Sequence, residues 1–369
     1  MHVCVDARMY RSSGIGTYLQ NLLPALARSF ELTLIGDPKE IDDTNSLVIP
    51  TDLPIYSIAE LRRLPSLIPP CDWFWSPHYN VPLLPIRARH RLVTIHDVFH
   101  LAFSRTLSLK QRVYAQLMFR AAVRRSNQIV TVSEFSRDEI VKYLGVSPQR
   151  ITVIPNGVDH QRFKIIDDNS LYQRVRAKYQ LPERFVLFVG NVKPHKNLIT
   201  LVKAWHSLAA AFQDHQLVIV GKKEGFITGD NLLQTLIQRD KTLRTRIRFT
   251  GFVADDDLPV IYNLADLFVF PSYYEGFGLP PLEAMACGCP VLMSDQASLP
   301  EVGGTAAAYT APDQSDAMAK QIADILQQNE EQRLATVRRG LAQAQRYTWS
   351  KSIDAHQALI ENLLSERSR

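Results

Sequence analysis

Residues 268–294, FVFPSYYEGFGLPPLEAMACGCPVLMS, leave this chain little freedom. Residues 268–270 and 290–293 are short apolar runs of the kind that form strands buried on both faces. Between them lie a loop rich in Gly and Pro and one short helix. Pro280 and Pro281 suit a first helical turn, where a missing N–H leaves no bond unmade, and Gly288 suits the stop. The loop Glu275-Gly276-Phe277-Gly278-Leu279 therefore brings backbone N–H groups to a helix start, with glycines that let a phosphate approach the main chain. Glu275 and Glu283 flank this anion site and would repel a diphosphate unless each holds something else. Sugar hydroxyls are the natural partners. A nucleoside diphosphate joined to a sugar carries hydroxyls at both ends of its diphosphate.

The Glu-x7-Glu spacing inside EGFGLPPLEAMACGCPV resembles the signature of the retaining family-four glycosyltransferases. The resemblance implies an α/β chain of the GT-B fold: two Rossmann-like domains facing a central cleft, with a C-terminal helix crossing back to the N-terminal domain. It also implies that Glu275 lies against the donor sugar and its phosphates and that Glu283 binds the ribose hydroxyls. The plainer alternative is a Rossmann crossover whose glutamates face solvent.

A length of 369 residues suits two domains of ordinary size. The family passes from one domain to the other at a PNGVD run, here Pro155 to Asp159, and Pro followed by Asn-Gly ends a strand. The expected division is 1–158 for an acceptor-side domain, 159–346 for a nucleotide-sugar domain and 347–369 for the returning helix. Strands are expected at 2–6, 32–35, 73–75, 92–95 and 128–132, then at 185–190, 217–220, 247–250, 267–270 and 291–293, with helical patterns between them. After the first strand, Ser13-Gly14-Ile15-Gly16 leads into a helix pattern from Thr17 to Leu26. It lacks the third glycine and the downstream acid of a dinucleotide fingerprint. In the family the loop after the first strand lies near the donor diphosphate and the acceptor, which implies that Gly14 and Gly16 help bind the donor.

Further donor contacts are expected where strands of the second half end. Gly190-Asn191-Val192-Lys193-Pro194-His195-Lys196-Asn197 follows a strand and opens a helix, so Lys196 is in place to neutralise the departing diphosphate. The family often has Arg where this chain has Asn191, leaving one cation fewer unless Lys193 or His195 supplies it. Gly221-Lys222-Lys223 and Gly251-Phe252-Val253 are expected to floor the base and phosphates through backbone groups and the Phe252 ring. In the first half, His96 follows a strand, and the resemblance gives it a contact with the donor sugar. Ser76-Pro77-His78-Tyr79-Asn80 ends an earlier strand and is placed on the acceptor side. Catalytic roles are thus expected for Glu275, Lys196 and His96. Donor binding is expected from Gly14, Gly16, Asn191, Gly221, Phe252, Val253, Gly276, Phe277, Gly278, Leu279 and Glu283.

No metal or cofactor is expected. Asp255-Asp256-Asp257 precedes Leu258-Pro259, where acids favour a helix N-terminus, and enzymes of this type use fixed dipoles and Lys in place of a divalent ion. Cys4, Cys71, Cys287 and Cys289 show no framework spacing and read as small buried residues. The net charge of +5 permits anionic partners without requiring them. The 107–125 segment is basic and amphipathic, which suits a solvated face or a membrane surface. With no apolar leader or membrane-length run, the expected location is cytoplasmic, with peripheral membrane contact as an option.

The resulting reading is a retaining, metal-independent hexosyltransferase of polysaccharide synthesis. It takes a nucleotide-sugar donor, UDP-glucose slightly ahead of GDP-mannose, and a saccharide or lipid-linked saccharide acceptor, with no role for nucleic acid. The rivals are a non-catalytic nucleotide-sugar binder and a dinucleotide-dependent reductase.

Overall fold

A computed structural model of the chain describes residues 1–42, 46–221 and 231–365. The chain forms two compact units, one running from Met1 to Gly157 and completed by the helix that starts at Trp349, the other covering Val158–Thr348.

The first unit is built on seven strands: β1 (His2–Asp6), β2 (Glu31–Gly36), β3 (Leu47–Pro50), β4 (Cys71–Ser76), β5 (Ala88–Thr94), β6 (Gln128–Thr131) and β7 (Ile151–Val153). They pair in parallel in the order β3-β2-β1-β4-β5-β6-β7. The second unit repeats the plan with β8 (Arg184–Val189), β9 (His215–Val220), β10 (Ile247–Gly251), β11 (Leu267–Phe270), β12 (Val291–Ser294) and β13 (Ala308–Thr310). Its order is β10-β9-β8-β11-β12-β13, again parallel. Both are doubly wound Rossmann-like sheets. The strand order reverses between β1 and β4 in one and between β8 and β11 in the other, the positions where such sheets open a ligand crevice beyond their strand ends.

Central strands carry apolar residues along their buried stretches, as covered sheets require: Cys4, Val5, Trp75, Val93, Phe185, Val186, Phe268 and Leu292 are all buried. The edge strands β3, β7 and β13, only partly buried, have no counterpart among the expected strand ranges. The helix Trp349–Ser365 packs within the first unit, with Trp349 and Ile360 in the core beside β1, and the Tyr18 hydroxyl and His356 Nε2 2.6 Å apart.

Several boundaries differ from expectation. The first helix begins at Ser13 and runs to Leu26, so Gly14 and Gly16 lie in its first turn and not in a loop before it. Gly16 is there for space: a Cβ would stand 2.7 Å from the Tyr10 carbonyl oxygen, whereas one on Gly14 would meet nothing. Ser133 is the N-cap of Glu134–Leu144, its side chain accepting from the Ser136 N–H. Asp257 stands at the N-cap of Leu258–Leu264 but its carboxylate turns away, accepting from Lys178 Nζ at 2.6 Å and the Tyr179 hydroxyl at 2.8 Å.

Candidate active site

In the second unit, the loops that leave β8 and β11 flank the switch point and are fastened to each other. Buried Asn197 donates from Nδ2 to the Pro271 carbonyl at 3.0 Å and to the Pro312 carbonyl at 2.5 Å, and accepts from the Thr200 hydroxyl at 2.6 Å. The Tyr273 N–H bonds to the His195 carbonyl at 2.8 Å. The effect is to fix Lys196 opposite Glu275. Lys196 Nζ lies 2.5 Å from Glu275 Oε1, with both side chains largely covered at 18% and 14% exposure, and 5.2 Å from the centre of the Phe270 ring. A bond this short between an ammonium and a carboxylate is of the charge-assisted kind. Two residues 79 apart in sequence are thus brought into one ion pair.

The loop carrying Glu275 is held from beneath by Ser298, whose Oγ lies 2.8 Å from the Glu275 carbonyl and 2.9 Å from that of Phe277. Gly276, Phe277 and Gly278 are buried, and the Phe277 ring meets Tyr347 edge-on. Gly278 is the N-cap of the helix Leu279–Ala286 at φ 110°, and a Cβ there would sit 2.9 Å from Leu299 Cδ2, so only glycine fits. Pro280 and Pro281 remove two of the helix's leading N–H groups. The backbone donors on offer therefore come mainly from the loop and from Leu279, a narrower set than a helix start ordinarily gives.

Glu283 lies one turn along this helix and does not face open solvent. Its Oε2 accepts from the Tyr262 hydroxyl at 3.2 Å. Burial raises its carboxyl to about 7, against the opposing pull of Arg162 and the Tyr262 hydrogen bond. Arg162, whose guanidinium also donates to the Asp255 carbonyl at 2.5 Å, is a neighbour the sequence reading missed, as are Tyr262 and Ser298. None stands in a recognisable motif.

The remaining expected donor residues fall into two groups. Phe252, just past β10, is 69% exposed, with its ring open to a partner, while Val253 is buried. Asn191 is exposed beyond β8. Gly221 is a packing glycine, since a Cβ would lie 2.4 Å from the Gly190 carbonyl oxygen. Lys222 and Lys223 lie outside the described residues.

His96, Gly14 and Gly16 belong to the first unit. His96 follows β5, donates from Nε2 to the Pro77 carbonyl at 3.0 Å and meets Tyr18 edge-on at 5.0 Å. Burial, with His78 and His356 nearby, pushes its imidazole down to about 4, although the Pro77 bond works the other way. It is therefore neutral at pH 7, and Nδ1 is left as an acceptor for a hydroxyl.

Among the described residues no group of three or more His, Cys, Asp or Glu side chains is arranged to hold a metal ion, and no helix is long and apolar enough to cross a membrane.

Comparison with known proteins places these features in context. Residues 173–340 match the family described as Glycosyl transferases group 1, and residues 12–162 match Glycosyltransferase Family 4. The chain is 33% identical to the O-antigen chain mannosyltransferase B of Escherichia coli, over 95% of this chain and 97% of that one. It is 30% identical to the O-antigen chain mannosyltransferase RfbU of Salmonella typhimurium, over 68% of this chain and 64% of that one. Among solved structures it resembles Anabaena HepE in complex with UDP and glucose, at a TM-score of 0.78 and 21% identity over 99% of this chain and 100% of that one. It also resembles WaaG, a glycosyltransferase involved in lipopolysaccharide biosynthesis, at a TM-score of 0.74 and 18% identity over 96% of this chain and 98% of that one. These last two likenesses speak for the fold alone.

Proposed function

The chain belongs to the group 1 glycosyltransferases of the GT-B fold, and on that premise we propose that it transfers mannose from GDP-mannose to a saccharide of a growing surface polysaccharide. The observation that carries the donor side is the Lys196–Glu275 pair at the switch point of the second unit, with half-buried Glu283 one turn into the following helix. Mannose over glucose is supported by the 33% identity to a mannosyltransferase along nearly the whole chain, which outweighs the slight sequence-based preference for UDP-glucose.

Lys196 meets the diphosphate, Glu275 the sugar hydroxyls, and Glu283 the ribose hydroxyls, while the exposed Phe252 ring offers the base a stacking surface. In the first unit, neutral His96 offers Nδ1 as an acceptor to a hydroxyl. Glu275 is engaged by a cation and is suited to orienting the sugar, not to attacking it. Retention is taken from the family resemblance, with the acceptor arriving on the face that the diphosphate leaves. The bond from the anomeric carbon to the phosphate oxygen breaks, with its electron pair leaving on the diphosphate. The acceptor oxygen bonds to that carbon and passes its proton to the departing phosphate oxygen. Lys196 and the loop N–H groups stabilise the charge that develops, in place of a divalent ion.

A thermal-shift panel of GDP-mannose, UDP-glucose and UDP tests the donor, since a ligand bound only by the folded chain raises the melting temperature. GDP-mannose is expected to give the largest rise and to release GDP and mannose slowly. A rise with UDP-glucose alone overturns the mannosyl reading. Added EDTA is expected to leave turnover unchanged.

For the acceptor, we propose one carried at an anionic membrane surface. The helix Leu109–Arg125 carries Lys110, Arg112, Arg120, Arg124 and Arg125 and no acid, so it alone matches the chain's net charge of +5. Its outer side also exposes Leu109 (74%), Val113 (60%) and Leu117 (53%), spaced four apart on one face. Sedimentation with phosphatidylglycerol vesicles, lost in the Val113→Glu/Leu117→Glu variant and absent with phosphatidylcholine, is the expected result. Equal recovery with both lipids overturns it.

A further inference from the structure

The first unit has its own switch point, between β1 and β4, and it is furnished differently. Just past β1, Arg8 is enclosed at 4% side-chain exposure. Its Nε and Nη2 bond to the two oxygens of Asp6 at 2.8 and 2.7 Å, Nη2 also reaches Glu60 Oε1 at 2.5 Å, and Nη1 reaches the Leu53 carbonyl at 3.3 Å. Every nitrogen of the guanidinium is used. Past β4, His78 Nδ1 accepts from the Asn80 N–H at 3.1 Å, which puts the ring proton on Nε2, 3.4 Å from Asp6 Oδ2. The cluster thus sets two carboxylates against one fully occupied cation and an imidazole that already faces one of them. A phosphate would find no partner there and would be repelled.

Above this network stand three tyrosines. The free oxygen of Glu60 accepts the Tyr56 N–H at 2.7 Å and so holds Tyr56 at φ 62°, a left-handed conformation that a tyrosine seldom adopts. The Tyr56 ring is 45% exposed, stacks on Tyr79 at 6.0 Å and meets Tyr114 edge-on at 6.3 Å. Tyr79 is backed by Phe119 at 4.1 Å, and the Tyr114 hydroxyl donates to Asn80 Oδ1 at 2.5 Å. A half-open aromatic ring is therefore tied, through Glu60, Arg8 and Asp6, to the end of β1. Such a preset, rigid ring costs little entropy to bind against.

A pyranose has an apolar C–H face and a rim of hydroxyls, which matches rings edged by phenol and amide groups on a floor without a spare cation. We propose that the first unit's switch point is a subsite for a neutral pyranose, with Tyr56 as its stacking surface and Tyr79 and Tyr114 beside it. The subsite rests on the saccharide-acceptor part of the proposed function and adds that the sugar bound there bears no phosphate.

The test is calorimetric titration of the whole chain with α-linked mannobiose, with mannose 6-phosphate as the anionic control. Four proteins are compared: wild type, Tyr56→Phe, Tyr56→Ala and Tyr56→Asn. The last keeps a residue at ease in the left-handed region and so separates loss of the ring from loss of the loop. Wild type and Tyr56→Phe are expected to bind mannobiose alike, and the Ala and Asn variants about tenfold more weakly. The melting-temperature rise from GDP-mannose should be the same in all four. Unchanged mannobiose affinity in both ring-less variants, no mannobiose binding by wild type, or preference for mannose 6-phosphate would each overturn the subsite. If mannobiose binds as expected while no nucleotide sugar does, the donor reading fails and the subsite stands.

Discussion

The two sheets share one strand order and differ in what they place at the point where it reverses. In the second unit, a lysine and a glutamate, each under a fifth exposed, face each other from separate loops, and a half-buried glutamate in the following helix accepts from a phenol. In the first, an arginine is consumed by two carboxylates and a carbonyl, and tyrosines cover it. The contrast is between charge kept available for exchange and charge spent on holding a loop. One topology therefore supports two kinds of recognition, an ionic one for an activated ligand and an aromatic one for a neutral ligand.

If that contrast is right, equivalent truncations should fail in different ways. Arg8→Met strands Asp6 and Glu60 in the interior and is expected to destabilise the first unit by about 3–5 kcal/mol in urea unfolding. Lys196→Met in the second unit is expected to lower turnover by about 10²–10³-fold and to move the urea midpoint little, because its partner retains some access to water. Should Lys196→Met unfold the protein as readily as Arg8→Met does, the distinction between spent and available charge is void. Glu275→Ala belongs with Lys196→Met and is expected to abolish transfer with the fold intact, as read by circular dichroism and product release.

A smaller effect is expected from Glu283, whose carboxyl is raised to about 7 from the usual 4.5. Between those values the folded chain holds a proton that the unfolded chain has released, so this group's contribution to stability falls as pH rises across the window. Ribose hydroxyls bind the ionised carboxylate best, so donor affinity should rise roughly tenfold from about pH 6 to about pH 8. Titration of GDP-mannose across that range checks it, and Glu283→Gln should flatten the curve. The smallest effect is that of Ser133→Ala, about 1 kcal/mol of lost helix capping in urea unfolding, with donor affinity untouched.

Much of the second unit's site was legible because its parts sit in one short stretch. Glu275, Gly278, the paired prolines and Glu283 fall within nine consecutive residues, and the strand-loop-helix reading carries them together. The Arg8–Glu60 bond joins residues 52 apart, and nothing in a short, partly exposed helix marks Glu60 as buried. Asn197 lay in view at the end of its motif, but its bonds to Pro271 and Pro312 depend on loops 74 and 115 residues away. The start of the first helix was misjudged for a local reason. Ser12 makes no side-chain cap bond, so the residue type that ordinarily announces a helix start gave no boundary, and apolar periodicity pointed to Thr17.

The short bond between Lys196 and Glu275 has a bearing on which molecules gain entry. Each residue is already the other's counter-ion, so a newcomer must supply a substitute for both at once. Inorganic phosphate, or a nucleotide without a sugar, offers the lysine an oxyanion but gives the abandoned glutamate nothing in return. A diphosphate that also brings hydroxyl hydrogens satisfies the two together, so under the proposed function the pair favours anions that come with a hexose attached.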